Sequence, residues 1–483
     1  MLEYDYDDDA DEPNRQEMDE TLNRFREYHR SGNWQQGSPS AEALETIVHY
    51  CLETQKFDDA LVFATMWKET APYSADAWHK YGIALSSVSR WADALAAYER
   101  ATELDPVDIE IHVNRGIALE QSGRLDEAMA VIEYALSNEP DNPDALFSKA
   151  MIFQKLERYD EAVRIFQYLS RHETFRRDAL FEMAYCLECL DRNDEAGEIY
   201  EQCIETDPYD SNAWFNKGVI LGRKGAHRQS IDYYGMAVTI KSDFVNAWYN
   251  MGNAYATIGR LDDSIAAYRE AHELDPKDVS VLHNLASSLE ERGLFAEAIG
   301  IFNKALLLEP THLQSLYGRG TCHDALDQYE NALLDYDAAL AMDPSYADLW
   351  YAKGDANYNL QRLEEALVCY RKALDIEPND MECWFDYGST LLETGDVMEA
   401  LRAFSECISL APEWSEGYFA TAKVLCGAGQ PHTAIPYLHR TFSLEPGKRQ
   451  EFDREFPAIA GPIGMEYLRD ALDQLSRISP QGE

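Results

Sequence analysis

Ten of the 18 prolines in this 483-residue chain fall on one arithmetic series. Pro72, Pro106 and Pro140 are followed by Pro208, then by Pro276, Pro310, Pro344, Pro378, Pro412 and Pro446, so every gap is 34 residues or twice 34. Thr174 and Ser242 hold the two remaining places, and the frame runs through without an insertion. A period of this length marks supersecondary units that bury their apolar faces only against their neighbours. Length alone would allow several globular domains, but the periodicity overrides that prior. Counting back from each Pro gives twelve units, the first beginning at residue 41 and the last at residue 415.

Inside the frame a small residue recurs at the eighth place, as in Gly82, Ala150, Gly252, Gly354 and Ala422, and another at the twentieth, as in Ala60, Ala162, Ser264 and Ala434. Large residues alternate with them: Trp78, Trp214, Trp248, Trp350 and Trp384 at the fourth place, and Tyr98, Phe166, Tyr200, Tyr268 and Phe404 at the twenty-fourth. Trp248, Met251, Gly252 and Tyr255 stand at i, i+3, i+4 and i+7, one face of a helix. Ser74, Asp108, Asn142, Asp210, Asp278 and Asp380 fall where the next helix needs an N-cap. The pattern resembles the tetratricopeptide repeat, a 34-residue helix–turn–helix with W-x2-L-G-x2-Y, then A-x3-F, then P. That resemblance covers residues 41–448 and implies an all-α fold, a right-handed superhelical solenoid with nearest-neighbour energetics.

The flanks read as caps. Residues 1–14 form an acidic tail expected to be disordered, and residues 15–40 a capping helix and linker whose Met18, Leu22 and Phe25 cover the first unit. Residues 449–483 start like a further repeat, break at Pro457 and Pro462, and finish in a helix presenting Leu468, Leu472 and Leu475 as a C-terminal cap. Units four to six depart from the pattern together: Thr174 and Ser242 replace Pro, Gly222 and Gly235 enter helices, and "SRHETFRR" and "GRKGAHRQS" are basic in an acidic chain. Such a stretch fits a flexible joint, a site for an acidic segment such as the chain's own tail, or simple surface drift, and drift is the simpler reading.

Charge and composition narrow the function. A formal net charge of −45 repels phosphates, which excludes nucleic acid and anionic membrane surfaces as partners and favours basic proteins or peptides. No secretory signal and no membrane-length apolar run is present, and nine scattered cysteines suit free thiols in a reducing compartment, so a cytoplasmic location is expected. There is no P-loop, no dinucleotide fingerprint, no HExxH and no nucleophile elbow, and no enzyme activity or cofactor is expected. Cys186 and Cys189 form a lone CxxC within a helix, without a second ligand pair, so no metal is expected either.

Asn246, Tyr249, Asn250 and Asn253 lie on the helix face opposite Trp248 and Met251. In the family this face of the first helix lines the groove that contacts peptides. The fifth place carries Phe147, Phe181, Phe215, Tyr249, His283, Tyr317, Tyr351 and Phe385, and the sixth carries Asn216, Asn250 and Asn284 in three consecutive units. An Asn amide both donates and accepts, so a ladder of them can pair with an extended peptide backbone, while the aromatics select side chains. The Asn series resembles the ladder in the repeats of O-linked N-acetylglucosamine transferases, although no counterpart of the transferase domain is present. The basic clamp by which related repeats hold acidic chaperone tails is also missing, since the fifth place never holds Lys. Acids such as Glu182, Glu290, Asp386 and Glu393 outnumber the four inner basic residues Lys80, Lys155, Arg223 and Lys423. The expected function is a non-enzymatic scaffold or adaptor binding an extended, basic peptide or protein segment in the concave groove. The alternative is a substrate-recruiting subunit of an enzyme complex.

Overall fold

The structure, a computed structural model, describes residues 12–31 and 39–457. Most of the acidic tail lies outside the described residues, as do Pro462, Leu468, Leu472 and Leu475 of the C-terminal segment. Among the described residues there are 26 α-helices, one short 3-10 turn and no strand, and no helix is long and apolar enough to cross a membrane. The fold class is all-α, a solenoid of paired helix–turn–helix repeats. The chain divides into two compact units, Met1–Gly225 and Ala226–Glu483. The division falls inside "GRKGAHRQS", between the helices Ser211–Arg223 and His227–Ile240.

The first unit opens on Glu12–Ser31, a helix that begins within the expected tail. Its Leu22 and Phe25 are buried against Ile47 and Phe63, with the Phe25 and Phe63 rings 6.4 Å apart. Helix pairs then follow in 34-residue steps, from Ala41–Glu53 with Phe57–Thr70 to Arg176–Cys189 with Asn193–Thr206. The second unit repeats the arrangement from Val245–Thr257 with Leu261–Leu274 to Ser415–Gly427 with Pro431–Leu444, and ends on the single helix Lys448–Glu455.

Local chemistry explains each pair. The side chains of Ser74, Asp108, Asn142, Asp210, Asp278 and Asp380 all accept backbone N–H groups of the helix they precede. The fifteenth place turns one helix back on the next through a positive φ, taken by Gly in Gly123, Gly259 and Gly293 and by larger residues in Gln55, Glu157 and Gln361. The eighth and twenty-fourth places then meet. A Cβ on Gly252 would lie 2.6 Å from the Tyr268 ring, so a side chain here would displace an aromatic that is itself 2% exposed.

The 34-residue Pro has a second role. Trp78, Trp214, Trp350 and Trp384 donate their indole Nε1–H to the carbonyls of Pro72, Pro208, Pro344 and Pro378 at 2.9–3.0 Å, tying each unit to the end of the one before. Because the acceptor is a backbone carbonyl, Ser242 serves Trp248 equally well at 3.0 Å. Thr174 is different: the helix Tyr159–Leu169 has 11 residues where its counterparts have 14, and Glu173–Phe175 forms a 3-10 turn. Phe175 tucks into the core there, 6.0 Å from the Phe147 ring.

Candidate interaction surface

Within each unit the first helices of adjacent pairs approach one another, as Val245–Thr257, Val279–Glu291 and Leu313–Asp324 do in the second unit. The second helices of adjacent pairs stay further apart, so the first helices line the inner side of the curve. The fifth and sixth places lie on that side. Phe147, Phe181, Phe215 and Asn216 belong to the first unit, and Tyr249, Asn250, Asn253, His283, Asn284, Tyr317, Tyr351 and Phe385 to the second.

The fifth-place rings are half-buried, and most of them rest on the twenty-fourth-place ring of their own repeat. Centroid separations run from 5.4 Å for Phe147 on Phe166 through 5.9 Å for Phe181 on Tyr200, Tyr249 on Tyr268, His283 on Phe302 and Tyr351 on Tyr370 to 6.3 Å for Tyr317 on Tyr336. Phe385 sits 5.6 Å from Phe404 and 4.9 Å from Trp414. These aromatics therefore form the wall of the inner face and keep only part of their surface for anything that lies against it.

The asparagines differ from one another. Asn284 donates to the Tyr249 hydroxyl and to Asn253 Oδ1, each at 3.0 Å, and Asn253 Oδ1 also accepts from the Tyr268 hydroxyl at 2.5 Å. Asn216 donates to the Tyr200 hydroxyl at 3.2 Å, and that hydroxyl donates to Glu188. Asn250 is half-buried and has no side-chain hydrogen bond among the described residues. The expectation of three equivalent open amides is thus corrected: Asn216 and Asn284 are tied into the packing, because buried tyrosine hydroxyls need polar partners. The fifth place of one repeat also bonds the sixth place of the next at other levels, as Asn114 with His79 at 2.9 Å and Tyr351 with Asp386 at 2.6 Å. Each such rung stitches neighbouring repeats.

Charge divides the inner face further. In the first unit Glu120 pairs with Lys155 at 2.7 Å and Glu188 with Arg223 at 3.0 Å. In the second, Glu290, Asp324, Asp355 and Asp386 are half-buried and form no ion pair with a Lys, Arg or His among the described residues. Asp355 accepts from the Tyr370 hydroxyl at 2.7 Å, yet burial, together with repulsion from Asp386, Asp324 and Asp380, pushes its pKa up to about 7. Burial also raises the Asp386, Glu290 and Asp324 carboxyls above their ordinary range. His283 supplies no compensating charge: burial and the neighbouring His312 hold it down to about 4, so it is neutral near pH 7. Asp355, at the ninth place, has no distinguishing signal in the sequence, where it reads as one more solvated acid; its burial comes from the Tyr370 ring one turn-back away.

No side-chain cluster among the described residues could hold a metal ion. Cys186 is buried and accepts from Gln154 while Cys189 is exposed, so the two thiols of the CxxC occupy different environments. What the surface offers among the described residues is half-exposed aromatic area, the uncommitted amide of Asn250 and a set of carboxylates lacking counter-charges.

Comparison with known proteins places this architecture. Sequence models of the tetratricopeptide repeat match residues 82–152, 147–211, 199–232, 245–278, 283–347, 347–380 and 369–402. None of the curated proteins matches the chain by sequence. Among solved structures, YrrB, described as a TPR protein with an unusual peptide-binding site, is 21% identical, with 39% of this chain and 96% of that one covered at a TM-score of 0.36. MamA from Desulfovibrio magneticus RS-1 is 23% identical over 35% of this chain and 95% of its own, with a TM-score of 0.34. The APC/C hetero-tetramer Cut9-Hcn1 is 17% identical over 96% of this chain and 94% of its own, with a TM-score of 0.40. With its family matches spread from residue 82 to residue 402 over helix pairs of the same period, the chain belongs to the tetratricopeptide repeat family.

Proposed function

We propose that the protein is a non-enzymatic cytoplasmic scaffold whose inner face binds an extended, basic segment of a partner protein. The observation that carries this reading is the set of half-buried carboxylates in the second unit, Glu290, Asp324, Asp355 and Asp386, left without cations among the described residues. A carboxylate taken out of water and left unpaired costs free energy that an incoming Lys or Arg recovers. Around them Tyr249, Tyr317, Tyr351 and Phe385 offer partly exposed rings, and Asn250 offers a free amide for ligand backbone groups. Phe147, Phe181, Phe215 and Asn216 supply the equivalent wall in the first unit. Repetition of the same groups at repeat spacing suits an extended chain better than a compact ligand. The test is selection of random twelve-residue peptides on the intact chain. The reading expects enrichment in Lys and Arg and loss of binding in Asn250→Arg; neutral or acidic peptides indifferent to that substitution would refute it.

A further inference from the structure

The inner face of the second unit ends in a cavity of about 780 Å³ where Met381–Thr394, Ser415–Gly427 and Lys448–Glu455 converge. That volume lies within the range of small-ligand pockets, roughly 300–1,000 Å³. Its floor is apolar: Phe385, Leu392, Phe419 and Val424, with Phe419 only 2% exposed. Its rim is acidic, with Glu393, Glu416, Glu451 and Glu455 facing Lys423. Lys423 pairs with Glu455 at 2.7 Å, and Lys448 pairs with Glu416 at 2.5 Å and Glu451 at 3.3 Å. Two ammonium groups thus serve three of the four carboxylates. Among the described residues Glu393 has only the Tyr358 hydroxyl as a partner.

We infer that this cavity anchors a bulky apolar side chain of the partner segment that carries a Lys or Arg beside it, the cation meeting Glu393. The inference rests on the inner-face reading above and names the chemistry recognised at its C-terminal end. Charge complementarity selects this occupant. An apolar side chain alone would leave Glu393 without a cation, and an acidic segment would meet an excess of carboxylates. A basic residue alone would leave the Phe385, Leu392 and Val424 floor exposed to water. The mouth is open at Gly427, where an added Cβ would meet nothing within 4 Å.

That opening provides a clean test. Gly427→Phe sets a ring at the cavity mouth, where the Cβ meets nothing within 4 Å, and Glu393→Lys reverses an exposed charge; unchanged circular dichroism and melting verify the fold of both. The probes are fluorescein-labelled twelve-residue peptides selected on the intact chain from a random library. The expected result is a selected motif of Leu, Ile, Met or Phe next to Lys or Arg, with affinity reduced tenfold or more by either protein substitution and by Ala at the apolar peptide position. Binding abolished by Asn250→Arg but untouched by Gly427→Phe overturns the anchor while leaving the inner-face reading intact. Binding indifferent to all three protein substitutions, or no selected peptide, overturns both. A tenfold gain of peptide affinity in the full-length Leu468→Glu, Leu472→Glu variant assigns the cavity to the chain's own C-terminal segment instead. A dimer that Gly427→Phe dissociates assigns it to a second copy, and either result overturns the inference.

Discussion

Glu157 and Gln361 hold φ of +58° and +61° at the turn between paired helices, where Gly259 has +74°. A Cβ in this region clashes with the backbone, whereas Gly adopts it freely. Glu157→Gly and Gln361→Gly are therefore expected to stabilise the protein by about 0.5–1 kcal/mol, and Gly259→Ala to destabilise it by about 1 kcal/mol, as read from urea denaturation. The residue-scale role of Asp355 shows in pH. Its folded pKa is raised to about 7, so the folded protein keeps a proton that the unfolded chain has already lost above the ordinary carboxylate range. Its contribution to stability falls as pH climbs from that range to about 7, and is level above. Asp355→Asn, which keeps an acceptor for Tyr370, should melt higher than the parent at pH 8, with the difference closing towards pH 4. A parent and variant that share one pH profile would contradict this assignment.

At the scale of the helix pair, most of the architecture is legible in the sequence, because the features that build it recur in one frame. The small eighth place, the large twenty-fourth and the N-cap each act within one repeat or on its immediate neighbour. Thr174 and Ser242 look alike as departures, yet only Thr174 changes a helix; the Trp248 bond needs a carbonyl, which Ser242 also has. What the sequence conceals is the fate of the inner polar groups, since Asn284 and Asn250 stand at the same place and differ only in what surrounds them. Asn284→Ala leaves the Tyr249 hydroxyl without its donor and Asn253 with that of Tyr268 alone, and is expected to cost about 1–3 kcal/mol. Asn250→Ala should stay within about 0.5 kcal/mol of the parent. Equal melting temperatures for the two variants would contradict the distinction. The last helix is part of the same logic. Phe452, 2% exposed, lies 5.1 Å from Phe456 and packs with Phe419 and Leu438, so Phe452→Ala should cost about 3–5 kcal/mol in the second unit, measured by hydrogen exchange of Ser415–Gly427.

For the molecule as a whole, a net charge of −45 surrounds an inner face on which Glu290, Asp324, Asp355 and Asp386 of the second unit have no cations among the described residues. A basic segment is drawn in by that field and then held by contacts that screening reaches less. Binding of a selected basic peptide should weaken at least about tenfold as salt rises from about 0.05 to 0.5 M, mostly through slower association. It should also tighten from pH 6 to pH 8 as Asp355 loses its proton, because the ionised carboxylate is the form that pairs with the ligand. The placement of the ligand on the inner face is the central claim. Photo-crosslinking tests it directly: a benzophenone amino acid is introduced at Asn250 on the inner face and, separately, at Leu334, 69% exposed on a second helix. The account predicts that bound peptide crosslinks from position 250 and not from position 334, and crosslinking from 334 alone would contradict it.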